Sequence, residues 1–188
     1  MTVIAVFGSA FNPPHLGHMD VIRQCLPQVD QVLLIPSARH PFGKKMASFE
    51  LRLKMVRIIL QETLNNPENI ILSSIENTLK HSTNHPIYSH TLLCSLLADN
   101  LSRGTQAEYR LVLGPDNLKR QNWSRFFRFR EIDQQFGVLA VNQRLSVRSS
   151  PLRQQLQDNQ QTARLQQTIH TQVGQELGQF LLDNNPYA

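Results

Sequence analysis

Short runs of β-branched and aliphatic residues alternate along this chain with stretches of helical periodicity, and that alternation limits the fold more than any other feature. Thr2-Val-Ile-Ala-Val-Phe7 is the first run, ended by Gly8, and Gln31-Val-Leu-Leu-Ile35 is the second, ended by Pro36. Asn69-Ile-Ile-Leu72, Arg110-Leu-Val-Leu113 and Phe136-Gly-Val-Leu-Ala-Val141 follow. The first lacks polar alternation, which predicts strands covered on both faces. Between the runs, Gly17 to about Gln28 sets Val21, Ile22, Cys25 and Leu26 on one helical face. Ser48 opens a helix carrying Met55, Val56, Ile59 and Leu60, and from Ser89 onward Leu92, Leu93, Leu96, Leu97 and Leu101 form an apolar stripe. Strand and helix at this spacing mean βαβ crossovers. The expected fold is therefore α/β, a Rossmann-like doubly wound parallel sheet of about five strands with helices on both faces. Beyond Gln154 the chain is rich in glutamine, yet Val173, Leu177, Phe180 and Leu181 keep helical spacing, which predicts a small helical C-terminal region. A length of 188 residues with 40% hydrophobic content suits a single domain, residues 1–188.

Composition excludes several classes of function. The net charge of +5 is spread thinly, since only 18% of residues are charged, and it favours anionic partners in general without choosing among them. Cys25 and Cys94 both lie in apolar helical stretches, where reduced thiols are expected in place of a disulfide. No cluster of ligand residues marks a metal site. The apolar N-terminus is only a few residues long and has no charged leader, and no stretch approaches the roughly 20 apolar residues of a membrane span. A cytoplasmic protein with no membrane partner is expected.

Ligands of such sheets bind beyond the carboxyl ends of the strands. Directly after the first strand stands Gly8-Ser-Ala-Phe-Asn-Pro-Pro-His15-Leu-Gly17-His18, followed at once by a helix. Gly8 permits a tight turn, the prolines stiffen the loop, and Gly17 is expected to let a ligand approach the helix N-terminus. Two histidines three apart lie on one side of a helical turn, so both can donate to one phosphate chain whose charge grows in a transition state. Zinc would want further Cys, His or carboxylate ligands, and none is near in sequence. A bare H-x-G-H also fits two ordinary histidines at a helix start, whereas the full string is much more specific.

Two later segments also stand where a ligand could bind. Val147-Arg-Ser149-Ser150-Pro-Leu-Arg153 reads as a cap and a proline opening a helix, with an arginine one turn in; it suits either another phosphate or a plain helix cap. Gly114-Pro-Asp116-Asn117 after the fourth strand suits a ribose, whose hydroxyls a carboxylate accepts, or a simple turn. It precedes a helix carrying Trp123. The interleaved Trp, Phe and Arg there also fit stacking on RNA bases, but the spacing suits an amphipathic helix with a basic outer face, and no nucleic-acid partner is expected.

Gly8-x-x-Phe11-x-Pro13-x-His15-x-Gly17-His18 resembles the signature of the nucleotidyltransferase superfamily that holds the nicotinate-nucleotide, pantetheine-phosphate and glycerol-phosphate enzymes. Ser149, Ser150 and Arg153 match the end of the I-S-S-T-x-x-R motif of the nicotinate and nicotinamide mononucleotide adenylyltransferases, with Arg148 in place of its first serine. Gly114 to Ile132 is similar to the G-x-D segment and following helix of that family. Phe42-Gly-Lys44-Lys45-Met46 with Arg52 and Met55 resembles its loop and R-x-x-M helix, and Tyr88 to Leu92 resembles the helix start lining its nicotinate pocket, with Thr91 where an aspartate often stands. The closing Asn185-Pro-Tyr187 echoes the family's tail.

The resemblance implies transfer of AMP from ATP to nicotinate mononucleotide, or to its amide, in NAD biosynthesis, giving deamido-NAD or NAD and pyrophosphate. It implies His15, His18 and Arg153 as catalytic residues. Gly8, Ser9, Phe11, Gly17, Lys44 (with Lys45 as rival), Gly114, Asp116, Ser149 and Ser150 would bind ATP, and Ala10, Tyr88, Ser89 and Trp123 the acceptor. Mg²⁺ would come with ATP, no protein metal site is implied, and a homo-oligomer is compatible with it. The alternatives are another H-x-G-H transferase, acting on pantetheine phosphate or with CTP, and a non-enzymatic nucleotide-binding regulator on the same fold.

Overall fold

The computed structural model describes residues 1–39, 43, 45–65, 67–80, 87–158 and 162–187. Five parallel strands form one sheet in the order β3-β2-β1-β4-β5. They are β1 (Thr2–Ser9), β2 (Gln31–Pro36), β3 (Ile70–Leu72), β4 (Ala107–Leu113) and β5 (Val138–Ala140). The registers Ile4 to Gln31 and Ile4 to Tyr109 put β1 in the centre. Each expected strand is present, within a few residues of its expected ends, and the architecture is α/β and Rossmann-like. The helices are α1 (Leu16–Cys25), α2 (Phe49–Leu64), α3 (Ile75–Leu79), α4 (Ser89–Ser102), α5 (Pro115–Leu118), α6 (Arg120–Trp123), α7 (Phe129–Gln135), α8 (Ser149–Gln157), α9 (Ala163–Val173) and α10 (Gln175–Asn184). A 3₁₀ turn at Leu26–Gln28 ends the first helical stretch, where Pro27 withholds the N–H an α-helix needs.

The chain forms two compact units. The first comprises Met1–Ser9, Val21–Lys44 and Glu68–Gln143. Here Val6, Leu33, Ile35, Leu111 and Leu113 share one sheet face and cluster with Leu92, Leu93 and Leu96 of α4 and with Ile132 of α7. Ala5, Val32, Leu34 and Val112, on the alternate face, are buried as well, which explains why these strands carry no polar alternation. The leucine stripe of α4 is narrower than its spacing suggests: Leu97 and Leu101 are exposed. Cys25 is buried and Cys94 half-buried, and both are free thiols.

The segment read as one amphipathic helix around Trp123 is instead three short ones. Trp123, Phe126, Phe129 and Ile132 recur every third residue, so on a continuous helix each would fall about 60° behind the last and the four would splay across half its circumference. Arg128, which is left-handed with φ of 55°, breaks that drift between Phe126 and Phe129, and Lys119, which is extended, separates α5 from α6. Trp123 and Phe126 then pack against the sheet core.

The second unit comprises Ala10–Asp20, Lys45–Pro67 and Arg144–Ala188. Ser48 caps α2 as expected, its Oγ accepting from the Leu51 N–H at 3.2 Å. Met55, Val56, Ile59 and Leu60 form that helix's buried face, and Leu152, Leu156, Ile169, Val173, Leu177 and Leu181 are buried on the C-terminal helices. The Glu62 carboxylate accepts from the Gln175 and Glu176 N–H groups, capping α10 from outside. The glutamine-rich tail is thus packed helix. Among the described residues no helix is long and apolar enough to cross a membrane.

Candidate active site

In the first unit, Gly8 and Ser9 end the central strand, and the neighbouring β4 ends in Leu113 just before Gly114. Strand order reverses between these two, the place where open α/β sheets form a ligand crevice. A Cβ on Gly114 would meet nothing within 4 Å, and one on Gly8 only the Ile35 carbonyl at 4.0 Å, so the backbone there is open to close approach. Asp116 is exposed, and its carboxylate pairs with Lys119 at 3.0 Å. Tyr88 immediately precedes α4, and Ser89 is its first residue. The Tyr88 ring is exposed and lies 5.2 Å from that of Phe127, a residue to which the sequence alone assigns no role. Trp123, by contrast, packs partly into the core.

The second unit holds the histidines. The His15 carbonyl accepts from the His18 N–H at 2.8 Å, opening α1, and the two imidazoles lie with centroids 3.8 Å apart. The His15 N–H donates to Nδ1 of His18 at 3.1 Å. Nδ1 of His18 is therefore an acceptor, and the neutral ring carries its proton on Nε2. Burial, with the charge of Arg148 adding, lowers His15 to about 4. Burial, with the neighbouring His15, holds His18 well below its ordinary 6.5. Both rings are thus neutral at pH 7. Nδ1 of His15 is buried with no hydrogen-bond partner among the described residues, an open polar position inside a packed site.

Gly17 meets a different need from the expected one. A Cβ there would stand 3.0 Å from the His15 ring and 3.6 Å from the Val147 carbonyl, so the glycine makes room for the histidine itself. Phe11 is fully buried at φ of 46°, its ring 4.8 Å from that of His18.

Three side chains of the same unit anchor the loop preceding His15. The Ala10 carbonyl accepts from Arg52 Nη1 at 2.7 Å, the Asn12 carbonyl from Arg153 Nη1 at 2.6 Å, and the Pro13 carbonyl from Ser149 Oγ at 2.8 Å. Arg153 also donates to Ser150 Oγ at 3.1 Å. The residue in the capping position of α8 is Arg148, without a side-chain cap bond, and the Ser149 hydroxyl, one residue on, is turned to the loop. Arg52, which the sequence shows only as part of a helix motif, is 1% exposed. Lys45 is exposed, and Lys44 lies outside the described residues. Among the described residues no three His, Cys, Asp or Glu side chains come together as a metal-ligand group.

A family model described as cytidylyltransferase-like matches residues 6–155. A crystal structure titled as a putative nicotinate-nucleotide adenylyltransferase from Vibrio parahaemolyticus is 30% identical with a TM-score of 0.74, over 97% of this chain and 99% of that one. A probable nicotinate-nucleotide adenylyltransferase of Anaeromyxobacter dehalogenans (strain 2CP-C) is 34% identical over 105 residues, 48% of this chain and 54% of that protein. The chain therefore matches about half the length of that relative. One of the same description from Sulfurimonas denitrificans is 26% identical over 174 residues, 84% of this chain and 87% of its own length.

Proposed function

Since the chain belongs to the cytidylyltransferase-like family, we propose that it is a cytoplasmic nicotinate-nucleotide adenylyltransferase of NAD biosynthesis, its two units serving as one transferase domain. The observation that carries this reading is the neutral histidine pair at the head of α1, with the tautomer of His18 fixed, on a loop whose carbonyls are tied down by Arg52, Arg153 and Ser149.

The reaction is attack by a phosphate oxygen of nicotinate mononucleotide on the α-phosphorus of ATP. A new P–O bond forms to the acceptor, the bond from the α-phosphorus to the bridging oxygen breaks, and pyrophosphate leaves with the electron pair. A phosphate monoester is already anionic at neutral pH, so no general base is needed. Catalysis consists of aligning two anions and meeting the charge that builds on the α- and β-phosphates. His18 donates from Nε2 and His15 from its ring beside it; as neutral donors they bind growing charge without a buried cation in the free enzyme. Ser149, Ser150 and Arg153 are the candidate phosphate contacts of the second unit, with Lys44 or its rival Lys45 as a further candidate, and Gly8, Ser9, Gly114 and Asp116 are the candidate ATP contacts of the first unit, while Phe11 and Gly17 pack against the histidines.

Tyr88, Ser89 and Trp123 are the candidate acceptor contacts of the first unit, and Ala10 that of the second. The first N–H groups of α4 favour a carboxylate there over a neutral amide. Mg²⁺ enters with ATP, and the described residues offer no carboxylate cluster to hold it. The test is incubation of the protein with ATP labelled at the α-phosphate, nicotinate mononucleotide and Mg²⁺. Label in a dinucleotide is the expected result, and label recovered only in ATP contradicts the reading.

A further inference from the structure

We propose that Tyr187 is a positioning residue for the transfer, acting through the Asn12 side chain to set the loop that carries His15 and His18. The inference rests on the transferase function proposed for the chain. The Tyr187 hydroxyl donates to Asn12 Oδ1 at 3.0 Å, across 175 residues of sequence, and the Ala47 N–H donates to the same oxygen at 3.1 Å. A carboxamide oxygen has two lone pairs, so these two donors occupy it fully and forbid the flipped rotamer, which would turn the NH₂ group toward them.

The contact is made where nothing has room to adapt. Asn12 is 3% exposed, Tyr187 8% and Arg52 1%. Burial pushes the phenol far above its usual range, so Tyr187 stays a donor throughout the working pH range. The Arg52, Arg153 and Ser149 anchors hold backbone carbonyls of the loop, whereas this one holds a side chain, and it enters between Phe11, whose ring packs on His18, and the proline pair that leads to His15. A bond at this point fixes which way the loop leaves Phe11. Its loss leaves the apolar packing of the tyrosine ring intact.

The experiment is a double-mutant cycle in the full chain with Tyr187→Phe, Asn12→Ala and both together. Pyrophosphate release from ATP with nicotinate mononucleotide is measured beside the thermal midpoint. Tyr187→Phe is expected to lower kcat about three- to tenfold, the equivalent of one net hydrogen bond, with KM for ATP within about twofold of wild type. The same substitution in the Asn12→Ala background is expected to cost nothing further. Additive losses overturn the proposal, as does a lowered midpoint with unchanged kcat per folded molecule, which is the signature of a purely structural contact. The imidazole NMR resonances of His15 and His18 give a readout independent of activity. They are expected to move in Tyr187→Phe but not when the substitution is added to Asn12→Ala, and resonances that stay in place overturn the proposal. If the unmutated chain releases no pyrophosphate while these resonances move as expected, the transferase reading fails and the positioning role stands.

Discussion

The backbone N–H of His15 donates to Nδ1 of His18 at 3.1 Å, so one histidine of the pair dictates the tautomer of the other. The proton of His18 is thereby committed to Nε2, the atom from which the proposed mechanism has His18 donate. His18→Ala is accordingly expected to lower kcat by about a hundredfold or more while ATP still binds, because the donor acts on charge that appears in the transition state. Steady-state kinetics beside calorimetric ATP binding check this. Turnover close to wild type removes His18 from the mechanism.

Gly17→Ala separates activity from stability. The added Cβ would stand 3.0 Å from the His15 ring, which must shift by a few tenths of an ångström. Alanine also favours the first turn of α1 over glycine by up to about 1 kcal/mol. The expected result is kcat lowered roughly tenfold, since sub-ångström misplacement of a catalytic donor is costly, with a thermal midpoint that is unchanged or raised. Wild-type turnover in this variant contradicts so tight a fit between Gly17 and His15.

Acid sensitivity follows from the two lowered histidines. The unfolded chain protonates His15 near 6.5, the folded chain only near 4, so between those values the unfolded state binds more protons and acid favours it. Stability from this group is complete above about pH 6.5 and is lost as pH falls toward 4, on the order of 3 kcal/mol for His15 alone. Urea unfolding at pH 7 and 4.5 should show wild type losing more stability than His15→Asn. Equal losses would mean that His15 is already protonated in the folded protein.

Much of this was legible in the sequence because it is local. Thr2 to Phe7 and Gln31 to Ile35 announce buried parallel strands in a handful of residues, and His15-x-Gly17-His18 places its own rings together through helix geometry. The anchors of the loop were not legible. Tyr187 reaches Asn12 and Ser149 reaches Pro13 only once the chain has folded back over more than a hundred residues. The segment from Val147 to Arg153 therefore fits a plain helix cap as well as a phosphate site, and Arg52 shows only as part of a helix motif. Arg148 looked like the loss of a hydroxyl, yet its charge helps keep His15 neutral. The helix expected around Trp123 failed for a related reason: a spacing of three that serves the core is incompatible with one continuous helix.

The central claim is tested most directly by kcat/KM for pyrophosphate release with a panel of acceptors under identical Mg²⁺ and salt. The panel comprises nicotinate mononucleotide, its amide and pantetheine phosphate with ATP, and glycerol phosphate with CTP. The acid nucleotide is predicted to be used best, with the amide about two- to thirtyfold behind, the range that one helix N-terminus supplies to a carboxylate. The other two pairs are predicted to give no release above background. An amide used as well as the acid, or faster, would contradict the acceptor assignment, and turnover of pantetheine phosphate with ATP or of glycerol phosphate with CTP, without the pyridine nucleotides, would contradict the nicotinate-nucleotide adenylyltransferase function.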